Sequence, residues 1–235
     1  MPERYGKSRG RLLSVGHTKH DSTFKFIKDE LQQCTQHHVA CGGHSTLANL
    51  LPDRQLPRRL LHFSKDNNIV KLVDGEDLRH SPPYTTLSHR WGSSPPLQLT
   101  SETQKMLYDG ISTTALPLLF RDVIDLVMRL GFQYLWIDTL CIQQDDHDDW
   151  ESQATRMHLV FAFSSLNVSA CSALHDDSLY SPRNPLLTTH LYVKPKWDKL
   201  PQQALRCRQS ATWEPLSLYE DKHYITSEPI LSRGW

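Results

Sequence analysis

The chain has 235 residues with 26 Lys+Arg against 26 Asp+Glu, a formal net charge of zero. That length can bury a sizeable core without staples, and the balance argues against a dedicated binder of nucleic acid or anionic membrane, which would carry a basic excess. No apolar run approaches the roughly 20 residues a membrane-spanning helix needs, and the five cysteines, an odd and sparse set, fit a reducing, cytoplasmic setting.

Residues 1–20 read as a flexible basic leader with no secretory signal behind them. Residues 21–83 form a lead-in. Within it Phe24, Ile27, Leu31 and Cys34 recur at helical spacing, which predicts an amphipathic helix over about 22–38. Leu60 to Phe63 and Ile69 to Val73 read as two β segments around the turn-forming Lys65-Asp66-Asn67-Asn68.

The block 84–175 alternates strand and helix. Tyr84 to Ser88 is a β-rich run. Ser101 and Gln104 resemble a capping box for a short helix closed by Gly110. Pro117 occupies a first-turn position before Phe120, Val123, Ile124, Val127 and Leu130, with Gly131 just past the end. Phe132 to Ile137 reads as a buried strand. Asp148 or Asp149 is the expected cap of a helix in which Trp150, Ala154, Met157 and Phe161 share one face, and Leu166 to Cys171 is the next strand. This order predicts an α/β fold: an open, mainly parallel sheet flanked by helices, with an N-terminal helix plus short strands before it. Residues 176–235, punctuated by prolines, read as an irregular C-terminal part with short strands at Leu191 to Val193 and His223 to Thr226.

Ligands of open parallel sheets bind beyond the carboxyl ends of the strands. The residues there are Ser88, His89, Arg90, Trp91 and Gly92 after the first strand, and Asp138, Cys141, Gln143 and Asp145 after the second. Structural duties compete for the same residues: Asp138 can cap a turn, Trp91 can be core, Gly92 can serve a turn. Cys141 with His89 as base would make a thiol hydrolase, but Cys141 lies in an apolar run, where a cysteine is ordinarily inert. Cys34, His38 and Cys41 offer zinc-ligand types, yet they continue the apolar stripe of the first helix, so packing explains them and no metal is assigned.

These segments carry a resemblance. Tyr84-Thr-Thr-Leu-Ser-His-Arg-Trp-Gly92, Leu116-Pro117 with Phe120-Arg-Asp-Val-Ile124, Tyr134-Leu-Trp-Ile-Asp-Thr-Leu-Cys-Ile-Gln-Gln-Asp145, and Trp150 with Arg156-Met157 resemble the heterokaryon incompatibility (HET) domain of filamentous fungi. Ser232-Arg-Gly-Trp235 matches that family's closing motif, which normally continues further, so the segment reads as truncated. The resemblance implies a part in non-self recognition between fused hyphae, triggering programmed cell death through a protein partner or self-association. It also implies a core like that of Toll/interleukin-1-receptor (TIR) domains, which share this flavodoxin-like sheet. Some TIR domains cleave NAD with a helix glutamate, so NAD enters as a possible substrate, with no bound cofactor expected. The family's glutamate corresponds to Gln153, which can hydrogen-bond a ribose but supplies no negative charge to a developing cation. Glu151 lies about 200° away around a helix. Gln153 and Asp138 stand as catalytic candidates, with Arg156 completing the cleft.

Overall fold

The computed structural model describes residues 16–37, 56–64, 67–79, 81–91, 97–171, 177–182, 191–193, 205–207 and 213–214. The described residues fall into two compact units, one drawn from Met1–Asp29 with Tyr180–Ser227, the other from Glu30–Leu179 with Glu228–Trp235.

Helix α1 (Asp21–His37), the amphipathic helix expected over 22–38, begins in the first unit and from Glu30 on counts with the second; its Phe24 is buried and meets Tyr180 edge to face at 6.0 Å. Thr18 and Ser181 exchange hydrogen bonds through backbone and hydroxyl groups. The same unit holds a small antiparallel sheet of β7 (Leu191–Val193), β8 (Leu205–Cys207) and β9 (Trp213–Glu214). The expected strand at Leu191 to Val193 is β7; the one at His223 to Thr226 lies outside the described residues.

The second unit is built on a six-stranded sheet. In chain order its strands are β1 (Arg59–Ser64), β2 (Asn67–Asp74), β3 (Thr85–His89), β4 (Ile111–Ser112), β5 (Tyr134–Ile137) and β6 (Leu166–Ala170). They lie side by side as β4-β2-β1-β5-β3-β6. The α/β class stands, and β3 runs parallel to both β5 and β6. The sheet is mixed because the lead-in joins it. β1 and β2 form an antiparallel hairpin, and β1 then pairs antiparallel with β5 through Leu61 and His62. The sequence shows two β segments and a turn there; which edge the hairpin extends is decided by long-range packing.

The helices wholly within this unit are α2 (Gln104–Asp109), α3 (Leu118–Leu130), the one-turn α4 (Asp138–Cys141) and α5 (His147–Phe163). Pro117 precedes α3 with an extended backbone, and Gly131 ends it at φ +99°, a left-handed cap that glycine adopts freely. Leu119, Phe120, Val123, Ile124 and Val127 are all at most 1% exposed, so α3 is buried on a broad face, and Leu60, Leu61, Phe63, Leu87, Leu135 and Trp136 of the strands are buried to the same degree. Its Asp122 is buried too, and accepts bonds from Ser178 Oγ and the Leu179 N–H.

Two expectations for α5 are corrected. The cap is Asp146, whose carboxylate accepts from the N–H groups of Asp148 and Asp149, so the helix begins before both residues expected to cap it. The buried face is Asp149, Gln153, Val160 and Phe163, whereas Trp150 stands 48% exposed. An ion pair, described below, draws the face with Asp149 inward and turns the tryptophan out.

Candidate functional site

The parallel strands bring their carboxyl ends together, and the chain that leaves β3 is fastened across them. Asp138 accepts the N–H of the following Thr139 at 2.8 Å and takes the Trp91 indole N–H at 2.9 Å. His89 is buried with Nδ1 3.7 Å from Asp138 Oδ1 and its ring edge-on to Phe120. The Leu99 N–H donates to the Thr139 carbonyl, and the Gln144 N–H donates to the Leu99 carbonyl. Ser101 donates its N–H and its hydroxyl to Asp145, and these bonds hold that carboxyl below the usual range. Ser88 donates its hydroxyl to Asn167 at 3.2 Å, Arg90 is exposed, and Gly92 lies outside the described residues. Asp145 and the backbone of Thr139 and Gln144 thus hold the segment 97–101, while Asp138 holds Trp91.

Cys141 is fully buried, and loss of solvent pushes its thiol up to about 12. A group kept as a thiol is a poor nucleophile, so the packing reading of Cys141 prevails over the hydrolase one.

A cleft of about 880 Å³ opens elsewhere in the same unit, between the lead-in, α2 and α5. Such a volume suits a small molecule. One wall is the start of β1. There Asp149 accepts from Arg58 Nη1 at 2.6 Å, from both terminal nitrogens of Arg59 at 3.0 and 2.5 Å, and from the Gln143 N–H at 2.8 Å. Burial alone would raise the Asp149 pKa; the hydrogen bonds from Arg59 and Gln143 outweigh it and hold the carboxyl below its ordinary value. The end of β2 lies beside it, Asp74 pairing with Arg59 in the hairpin. Gly75 donates its N–H to the Arg58 carbonyl at 2.8 Å, and any Cβ on it would come within 2.2 Å of the Pro57 oxygen, so only glycine fits that approach. Tyr108 of α2 donates its hydroxyl to Asp74 at 2.6 Å, and burial together with that carboxylate pushes the phenol up. The α5 wall contributes Ser152, Gln153, Arg156, Leu159, Val160 and Phe163.

Of the residues singled out from the sequence, Gln143, Gln153 and Arg156 line this cleft. His89, Trp91 and Asp138 gather at the strand ends, and Ser88, Arg90, Cys141 and Asp145 do not line the cleft either. Arg58, Arg59, Asp149, Asp74 and Tyr108 also belong to or border this cleft, and the sequence alone gives none of them a site role. The adjacent arginines at the start of a buried strand, with an acidic pair downstream, were the one available signal, and sequence distance hid their pairing. Among the described residues no three His, Cys, Asp or Glu side chains gather as metal ligands; Cys34 lies on α1, while His38 and Cys41 fall outside the described residues. No helix among the described residues is long and apolar enough to cross a membrane.

No curated protein matches the chain, and no solved structure does. The family described as heterokaryon incompatibility protein (HET) matches residues 84–235, which takes in β3, β5, β6 and α5 with the strand-end cluster and one wall of the cleft. The chain belongs to the heterokaryon incompatibility (HET) family, and its function is of the heterokaryon-incompatibility type.

Proposed function

We propose that the protein acts in fungal non-self recognition in the cytoplasm and triggers programmed cell death as a signalling or interaction module, through a protein partner or self-association. Family membership supports the setting. The observation that favours signalling over catalysis is Gln153. It stands where the HET family pattern has a glutamate three residues after the tryptophan, it is 7% exposed, and it lines the cleft. Stabilising positive charge on a ribose as its base departs requires an anion at that point. Glu151 is on an exposed part of α5, and Asp149 is already neutralised by two arginines. Expression of the chain in a fungal host, scored for growth arrest and loss of viability, tests the reading: death is expected, and an unaffected culture would overturn it.

NAD cleavage is the second reading, and the placement of Gln153 on a cleft of suitable size is what keeps it in view. Purified protein incubated with NAD is expected to release no nicotinamide, whereas Gln153→Glu is expected to gain turnover if the remainder of the pocket is competent. Silence from both forms removes the enzyme and leaves the module.

A further inference from the structure

The carboxamide of Gln153 makes no hydrogen bond among the described residues, although the residue is 7% exposed and sits on the cleft wall. Gln153 is not among the described side chains whose polar atoms are buried without a partner, so its amide is served by water in the cleft and is free to exchange that water for a ligand. The charges around it are already balanced. Arg58 and Arg59 close on Asp149, and Arg59 stands opposite Asp74 in the β1–β2 ladder. The remaining ionic groups of the lining, Arg156 and Glu76, have opposite signs. A polyanion therefore meets no net positive charge here. An amide, which offers donors and an acceptor on one edge, meets its complement in another amide. Below Gln153 the wall turns apolar at Leu159, Val160 and Phe163.

We propose that this cleft binds a small neutral ligand carrying a carboxamide edge beside an apolar body, Gln153 pairing with the edge and Leu159 and Phe163 receiving the body. The proposal is independent of the cell-death reading, since it concerns binding to the purified chain.

Ligand-observed NMR on the full chain with benzamide and benzoate tests it, because the two probes share a ring and differ in the edge. Benzamide is expected to bind in the millimolar range, as its few atoms allow, and benzoate at least tenfold more weakly. In Gln153→Leu benzamide affinity is expected to fall about tenfold, the worth of one or two net hydrogen bonds. That variant should melt no lower than the parent, because the amide it removes makes no hydrogen bond to the described residues; Gln153→Met, closer in shape, serves as the second variant and should behave alike. Preference for benzoate would reassign the cleft to anions. Benzamide binding that survives in both variants, or no benzamide binding up to about 10 mM, would overturn the proposal.

Discussion

The Arg59 guanidinium meets Asp149 with both terminal nitrogens, at 3.0 and 2.5 Å, and the two side chains are only 4% and 3% exposed. The pair spans 90 positions of sequence and ties the first residue of β1 to the first turns of α5. A buried pair adds little over an apolar substitute, but removal of one partner strands the other charge. Asp149→Asn or Arg59→Leu is therefore expected to lower unfolding free energy by about 3–5 kcal/mol, read by chemical denaturation.

The same carboxylate predicts an acid-sensitive fold. Its pKa lies below the unfolded value, so its contribution is complete above the ordinary aspartate range near pH 4 and drains away as pH falls through the lower, folded value. Melting temperature should decline in that acid window, and the decline should be shallower in Asp149→Asn. An identical acid limb in both proteins would assign the sensitivity to other carboxylates.

Thiol chemistry should discriminate sharply. Cys141 is buried with its thiol pushed up to about 12, while Cys171 is half-buried. Iodoacetamide at pH 8, followed by peptide mass spectrometry, should modify Cys171 in the native protein and Cys141 only after denaturant is added. Rapid native labelling of Cys141 would reinstate it as a nucleophile.

Two glycines test backbone geometry against space. Gly131 has φ +99° with nothing near its missing Cβ, whereas Gly110 has φ +102° and a Cβ would lie 2.8 Å from Ile69 Cγ2. Gly131→Ala should cost about 1 kcal/mol from conformation alone. Gly110→Ala should cost more, about 2–3 kcal/mol, because strain and contact add. Equal losses in denaturant melts would mean that the Ile69 contact yields freely.

A fragment of residues 84–235 covers the whole family match but lacks the hairpin. Leu60, Leu61, Phe63, Val70 and Leu72, each at most 1% exposed, go with it. At about 1.5–3 kcal/mol per buried side chain, the loss rivals the entire stability of an ordinary domain. The fragment should appear unfolded by circular dichroism, and a fragment starting at residue 56 should recover the sheet.

Much of this fold is legible in the residues. α3 announces itself by Pro117, its apolar spacing and Gly131, because local geometry suffices to define it. β3, β5 and β6 emerge as apolar runs between helices, with ends that shift by a residue or two. α5 is where periodicity misleads: apolar spacing favours the face with Trp150, but the arginines of β1 select the face with Asp149. The cleft was only half visible for the same reason. Gln153 and Arg156 share a helix and a motif, while Arg58, Asp74 and Tyr108 arrive from segments whose approach depends on strand pairing.

The sheet is also lopsided in chain distance, and that bears on how it assembles. β1 and β2 are joined by two residues, whereas Thr85 of β3 pairs with Leu135 and Leu166, partners 50 and 81 positions later. Closing the short loop restricts the chain far less than closing either long one. The hairpin can thus form while the remainder is still searching, and its β1 edge offers the nascent β5 a template before β3 and β6 are in reach.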